Sequence, residues 1–133
     1  GISMTIQVKW DDEQQRAILM TYEAGWTWND YFSAKIEIDN LLRSVKYTVH
    51  IISDSRIGGM VPRGNALTNF ASAFQTAPNN IGLVVVVGGN IIFRSLLHLL
   101  QTVSLNRAAN NICFAYTQEE ARELLQERLR IAS

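Results

Sequence analysis

The sequence of 133 residues contains one cysteine, two histidines and two prolines, and its charges balance at 12 basic and 12 acidic side chains. A single cysteine rules out an internal disulfide and suits a reducing compartment, so we expect a cytoplasmic protein. The balanced charge argues against nucleic-acid binding, which depends on clustered Lys and Arg. Because no zinc-like spacing, phosphate loop or dinucleotide fingerprint occurs, we expect no metal and no cofactor.

Long apolar runs are also missing. The longest, over residues 91–103, is interrupted by polar side chains and is too short and too polar to span a bilayer. The first eight residues lack the basic start and apolar core of a signal peptide. Gly1-Ile2-Ser3 precede Met4 and resemble residues left over from a recombinant expression vector. We therefore expect one domain over residues 4–133, which is long enough to bury a core of its own.

Two short, β-branched and almost uncharged runs carry the strongest structural signal, Tyr47–Ser53 and Leu83–Val87. Each precedes a turn signal and a stretch with helical spacing, as is typical of strands covered on both faces of an α/β sheet. The strands predicted from these runs are Tyr47–Ser53 and Ile81–Val87, and further strands are predicted at Thr5–Trp10, Ala17–Glu23 and Ile112–Tyr116. Helices are predicted at Trp28–Ser44, from an Asn65 cap to Thr76, at Ile91–Leu105, and from a Thr117 cap to Arg130.

The predicted order is ββαβαβαβα, an α/β domain with a mixed five-stranded sheet and four helices. In order and length it resembles a STAS domain, and within that group the SpoIIAA-like proteins. The resemblance rests on the opening hairpin, the helix starting near Trp28, the strand ending in Ile51-Ile52-Ser53-Asp54 and the closing βα unit. It implies a small bacterial cytoplasmic protein that, like anti-sigma factor antagonists, acts by binding a protein partner.

In that family, a serine or threonine within an Asp-Ser-Ser/Thr-Gly motif at the start of the second helix is phosphorylated to switch binding. This sequence has Gly64-Asn65-Ala66-Leu67-Thr68 at that place. The nearest likeness to the motif, Asp54-Ser55-Arg56-Ile57-Gly58, lies at the end of a strand. The resemblance therefore leaves Ser55 and Thr68 as candidate phosphoacceptors.

The loop after the third strand is the predicted partner- or ligand-binding site. Ligands of open α/β sheets collect at the carboxyl ends of strands. Charge and hydrogen-bonding groups are supplied there by Asp54, Ser55, Arg56, Arg63 and Asn65. The alternative is a surface loop whose polar residues are merely solvated. No base is placed near a nucleophile, so we predict no catalytic residue and no enzyme.

The favoured function is a non-enzymatic protein-interaction module. The alternative is a domain that binds a small molecule or lipid in a pocket at the strand carboxyl ends. An apolar pocket with a few convergent polar groups would favour this alternative.

Four aromatic residues near the first helix form either a binding rim or the end of a core, namely Trp26, Trp28, Tyr31 and Phe32. His50 is predicted to be a hydrogen-bonded core residue, whereas Gly88-Gly89 is read as a tight turn.

The third predicted helix has an unusually wide apolar face, which covers an arc of about 160° on a helical wheel, against about 100° for an ordinary core-facing stripe. A single sheet does not necessarily cover so wide an arc. Phe93, Leu97 and Leu100 would then form a surface patch through which the protein makes a homodimer. The alternative is that a neighbouring helix buries the excess.

Overall fold

The structure, a computed structural model, describes residues 5–89, 91–103 and 111–132, with the side chains of 91–93, 103 and 131–132 left out. Within these ranges, five strands form one sheet in chain order: β1 (Ile6–Trp10), β2 (Ala17–Tyr22), β3 (Val49–Asp54), β4 (Ile81–Val87) and β5 (Ile112–Ala115). The first pair is antiparallel and the other pairs are parallel. Four helices connect or follow them: α1 (Trp28–Arg43), α2 (Ala66–Gln75), α3 (Ile91–Val103) and α4 (Gln118–Ala132).

The predicted fold class and element order are confirmed, and most element ends differ by one or two residues. The most consequential difference is at β3, which ends at Asp54 rather than Ser53. Asp54 pairs with Thr21 of β2 and with Val87 of β4, so it closes the strand instead of opening the loop. Its side chain is thereby fixed by the sheet, and it is buried.

Local capping explains where two of the helices begin. Thr27 Oγ1 accepts the backbone N–H of Asp30, and the Asp30 carboxylate accepts the backbone N–H of Thr27, which is a complete capping box. At α4, Thr117 Oγ1 accepts the N–H of Glu120, but the Glu120 carboxylate accepts the N–H of Tyr116. Thr117 therefore caps α4 as predicted, but the reciprocal bond that would complete a capping box is made to Tyr116 instead.

The helices cover the two faces of the sheet unequally. On one side, which we call the three-helix face, α1, α2 and α3 pack against the sheet through residues such as Leu42, Phe70 and Leu100. On the other side, the α4 face, Ala121 and Leu125 cover a small aliphatic core. Both faces of the sheet are thus buried, as its continuous apolar strands predicted.

A β-bulge in β4 determines which side chains reach each face. Val49 pairs with Ile81, but Ile51 pairs with Val84, so that residues 82 and 83 lie opposite His50 alone. The N–H of Leu83 donates to Nδ1 of His50 at 2.9 Å, which replaces the missing strand partner. Gly82 is required beside it, because a Cβ there would lie 2.5 Å from that nitrogen. The prediction of His50 as a hydrogen-bonded core residue is confirmed.

Candidate functional site

The loops at the carboxyl ends of β3, β4 and β5 form a continuous surface, residues 54–60, 88–89 and 116–118, which we call the carboxyl edge. At its base, the Asp54 carboxylate accepts hydrogen bonds from Arg56 Nε at 2.9 Å, Arg56 Nη2 at 2.7 Å and Gln118 Nε2 at 2.7 Å. Burial raises the pKa of Asp54, but these hydrogen bonds outweigh burial and hold it below its ordinary value. The ionised Asp54 therefore ties β3 to its own loop and to α4.

Ser55 is fixed inside the protein rather than displayed by the loop. It is fully buried, and both its N–H and its hydroxyl donate to the carbonyl oxygen of Val87, at 2.9 and 3.2 Å. A kinase could not reach this hydroxyl without pulling the loop away from β4. The structure thus argues against Ser55 as a phosphoacceptor and as a residue that touches a partner.

The remaining predicted residues of this loop are exposed, and they make local contacts. Asn65 caps α2, with its side-chain oxygen accepting the N–H of Thr68 at 3.3 Å. The carbonyl oxygen of Arg63 accepts the indole N–H of Trp28 at 3.0 Å, which leaves its guanidinium in the solvent. Thr68 is exposed in the first turn of α2, so it is the predicted phosphoacceptor that a kinase can reach. The structure brings Asp54 and Arg56 together but leaves Arg63 and Asn65 outside their network.

Sequence reasoning missed the apolar part of the carboxyl edge. Among the described residues, the three most exposed large apolar side chains all lie here: Ile57 at 79%, Met60 at 77% and Tyr116 at 74%. Ile57 and Met60 line a shallow depression together with Gly88 and Gly89. The sequence does contain a signal for this patch. Ile57 and Met60 stand on either side of two glycines in a predicted loop, outside the strands and helices that form the core.

Arg94 connects this depression to Tyr116. Its Nε donates to the carbonyl oxygen of Gly88 at 3.2 Å, and its guanidinium carbon lies 5.4 Å from the centre of the Tyr116 ring. Gly88 and Gly89 both have positive φ, 77° and 84°, a conformation that glycine adopts readily, whereas Asn90 of the predicted tight turn lies outside the described residues. The apolar and cationic groups of the carboxyl edge therefore rest on a defined backbone.

The aromatic cluster near α1 supports the same loop from below. Trp26 and Tyr31 are buried, which favours the core interpretation of this group over the binding rim. The indole N–H of Trp26 donates to the carbonyl oxygen of Gly58 at 2.8 Å, and Trp28 stacks edge-on against Trp26 at 5.3 Å. With Trp28 bonded to Arg63, the two indoles hold this loop at Gly58, between Ile57 and Met60, and at Arg63.

An apolar cavity of about 80 Å³ lies between the three-helix face and helices α1 and α2. Its walls are mainly aliphatic and aromatic, and its polar groups come from Tyr22, Tyr31, Ser53 and the Lys35–Asp39 ion pair. The predicted ligand pocket was placed at the strand carboxyl ends, where the structure has two depressions of about 470 and 480 Å³ with more polar linings. The more apolar of these pockets therefore lies beneath the helices.

The predicted dimer face on α3 needs correction. Leu97 and Leu100 are only 3% and 1% exposed, and both belong to the core of the three-helix face. The side chain of Phe93 lies outside the described residues. Because α2 packs beside α3, Leu97 and Leu100, which are the described members of the predicted patch, are buried within the domain. We do not propose a homodimer through this face.

Metal and thiol chemistry find no support among the described residues. No group of three or more His, Cys, Asp and Glu side chains is placed to hold a metal ion in that part of the chain. His98 is exposed and lies 5.2 Å from the Phe114 ring. Cys113 is half-buried, and burial raises the pKa of its thiol, which makes it a poor nucleophile.

Comparison with known proteins adds no assignment, since neither a family model nor a curated protein matches this chain. Within the described ranges, no helix has both the length and the apolar character that crossing a bilayer requires. The resemblance to SpoIIAA-like proteins stays a prediction, and the function has to be argued from the carboxyl edge and the cavity.

Proposed function

We propose that this protein is a non-enzymatic interaction module that docks a protein partner on its carboxyl edge. The observation that carries the proposal is the gathering of Ile57, Met60 and Tyr116, the three most exposed large apolar side chains of the described chain, on one surface. Exposed apolar patches mark interaction sites. Tyr, Met and Arg are also the residue types enriched in protein interfaces, and Arg56 and Arg94 accompany the patch.

The patch is preorganised, which supports a binding role over that of a solvated loop. Ser55 is bonded to β4, Gly58 is bonded to the Trp26 indole, and Arg56 is held by Asp54. Side chains and loops that are already ordered lose less conformational entropy when a partner binds. We therefore expect the free and bound conformations of residues 54–60 to be similar.

An enzymatic role at this edge has less support. A catalytic carboxylate or nucleophile must be free to reach the substrate. The Asp54 oxygens are occupied by Arg56 and Gln118, and the Ser55 hydroxyl faces a backbone carbonyl. No other described residue of the edge supplies a base beside a nucleophile. Binding alone accounts for the features of this surface.

The resemblance to SpoIIAA-like proteins adds a regulatory role in a bacterial cytoplasm to this proposal. We place a phosphorylation switch, where one operates, at Thr68 rather than Ser55. Thr68 is exposed in the first turn of α2, and a phosphate there is favoured by the helix dipole, so modification would not unfold the helix. Phosphosite mapping in the host tests this: we expect occupancy at Thr68, and occupancy at Ser55 would contradict the burial argument.

Site-specific photo-crosslinking in the host cell tests the docking proposal. A benzophenone amino acid is placed at Met60 or at Tyr116, and the control carries it at Ile36, which is 63% exposed on α1. We expect one discrete adduct from both edge positions and none from Ile36. Met60→Glu should then weaken binding of the purified partner at least tenfold without changing the melting temperature. Equal adducts from all three positions, or none from the edge, would refute the proposal.

A further inference from the structure

The cavity beneath α1 and α2 is lined by small side chains as well as by aromatic rings. The small ones are Ser53 of β3, Ala73 of α2 and Ala77 just after that helix, and the rings include Phe70 and Phe74 of α2. Native interiors are close-packed, and voids larger than one water are few. At about 80 Å³, this cavity has room for several waters, each of which needs about 10–15 Å³, but its walls are mostly apolar. It therefore suits an apolar occupant better than a water cluster.

The shape of the cavity follows from the bulge in β4. Because the register shifts at residues 82–83, Ile81, Val84 and Val86 all line the same side. From Ile81 to Val86 is roughly 15 Å along the strand. The lining of the cavity therefore extends along β4. Pockets for drug-sized ligands have about 300–1,000 Å³, so the occupant here must be small and narrow, such as a short unbranched alkyl chain.

Hydroxyl groups in the cavity wall supply the polar contact. Ser53 Oγ donates to Tyr22 Oη at 3.3 Å, and Tyr22 donates onward to the Met20 sulfur at 3.4 Å, a weak acceptor. Tyr31 is only 9% exposed and lines the cavity, yet none of the hydrogen bonds among the described residues involves its hydroxyl. Burial raises the pKa of Tyr22 to about 12 and holds the pKa of Tyr31 well above its ordinary value, so both phenols are neutral donors at physiological pH.

The charged groups at the cavity compensate one another. Lys35 and Asp39, one turn apart on α1, form an ion pair whose side chains are 16% and 11% exposed. A ligand carboxylate would meet the Asp39 carboxylate, and a ligand cation would meet the Lys35 ammonium. Either ligand would also lose its hydration in an apolar space, which is costly for a charge. The ligand head must therefore be neutral.

We infer that this cavity is a second binding site, separate from the carboxyl edge, for a small neutral amphiphile. The ligand has a short unbranched alkyl body, which lies along β4, and a single hydroxyl or carbonyl group, which bonds to the Tyr31 hydroxyl. The inference does not depend on the partner-docking function, because it rests on residues of the three-helix face that are not part of that surface.

The test uses n-butanol as the probe and follows methyl NMR signals of Ile38, Ile51 and Val84 during titration. We expect saturable shifts with the wild type, and butyrate, which has the same chain length and a charged head, should bind at least tenfold more weakly. Tyr31→Phe should weaken butanol binding roughly two- to tenfold, the range for one hydrogen bond. Butyrate binding as tightly as butanol would overturn the neutral-head assignment.

A cavity-filling variant separates binding in the cavity from non-specific solvation. Ala73→Leu fills the cavity and should weaken butanol binding at least tenfold, whereas Ala71→Leu, the same change on α2 outside the lining, should leave it unchanged. Where Ala73→Leu does not fold, Ala77→Val at the other end of the lining gives the same comparison. No saturable shift in the wild type, or undiminished binding in a folded cavity-filling variant, would overturn the inference.

Discussion

The two faces of the sheet use their apolar residues in different ways. The α4 face is covered by one helix, and its buried members are aliphatic: Ala17, Leu19, Ile52, Leu83, Val85, Val87, Ala115, Ala121 and Leu125. The three-helix face mixes aliphatic residues with buried aromatic rings such as Tyr22, Trp26 and Phe70, and it contains the apolar cavity. The first face is thus an aliphatic core, while the second contains a cavity and polar groups that a ligand can use.

Polar contacts also divide between the faces. On the α4 side, Arg122 makes a two-point ion pair with Asp11 at 2.8 and 3.0 Å, and Gln118 bonds to Asp54. These contacts fasten the first turns of α4 to the hairpin turn and to the end of β3. On the three-helix side, the Lys35–Asp39 pair joins two residues of one helix and fastens nothing else. The clamp on α4 thus supports the carboxyl edge, whereas the ion pair at the cavity lies within α1 alone.

Adjacent residues of β3 give the largest expected difference between the faces. Ile52 is fully buried on the α4 face, and Ile51 borders the cavity on the other face. Ile52→Ala should lower the free energy of unfolding by about 3–5 kcal/mol, and Ile51→Ala by about 2 kcal/mol, because one side of Ile51 already lacks packing partners. Urea denaturation of the two variants measures this. Equal losses would show that the faces are packed alike.

The next largest expected effect concerns His50, which accepts a hydrogen bond from Leu83 in the bulge of β4. Burial, with a smaller contribution from Arg128, lowers the pKa of His50 below its ordinary value. The neutral ring accepts the Leu83 N–H, so its stabilisation is complete above the unfolded pKa of about 6.5 and is lost as pH falls through the lower folded pKa. The free energy of unfolding should therefore fall between pH 7 and pH 5, by at most about 1.4 kcal/mol per pH unit.

Two histidine variants identify the residue responsible for that pH dependence. His50→Gln should remove this component of the pH dependence, whereas His98→Gln should retain it, because His98 is exposed. Thermal unfolding at several pH values distinguishes them. A His50→Gln profile that still follows the wild type would mean that another group titrates.

The smallest expected effect compares one helix from each face. Thr27→Ala removes one bond of a complete capping box on α1 and should cost about 1 kcal/mol. Thr117→Ala removes the single cap bond observed at α4 and should cost less, because Arg122 and Gln118 still hold that helix. Chemical denaturation of both variants decides the order. A larger loss from Thr117→Ala would contradict the clamp on α4.

The fold was predictable because its signals are local. Runs such as Leu83–Val87 need no partner to be recognised as strands, and Thr27 with Asp30 marks a helix start by spacing alone. The site was less predictable because burial depends on distant residues. Ser55 is hidden by the Val87 carbonyl, which lies 32 residues further along the chain. No pattern around Ser55 reveals that contact.

The same limit applies to α3 and to the cavity. The apolar arc of α3 was visible in the sequence, but its coverage depends on how α2 packs beside it, which buries Leu97 and Leu100. The lining of the cavity depends on the bulge at residues 82–83, which brings Ile81 and Val84 to the same side, and on the residues of α2 that pack over it. Register shifts and side-chain sizes across an interface are properties of the assembled fold, so sequence periodicity alone does not predict them.

The contrast between the faces is tested most directly by a crystal structure determined under xenon pressure. Xenon enters apolar cavities that are large enough to hold it. We predict one xenon peak on the three-helix face, bounded by Ile51, Ala73 and Val84, and none between α4 and the sheet. An empty three-helix face, or a xenon peak beneath α4, would contradict the account.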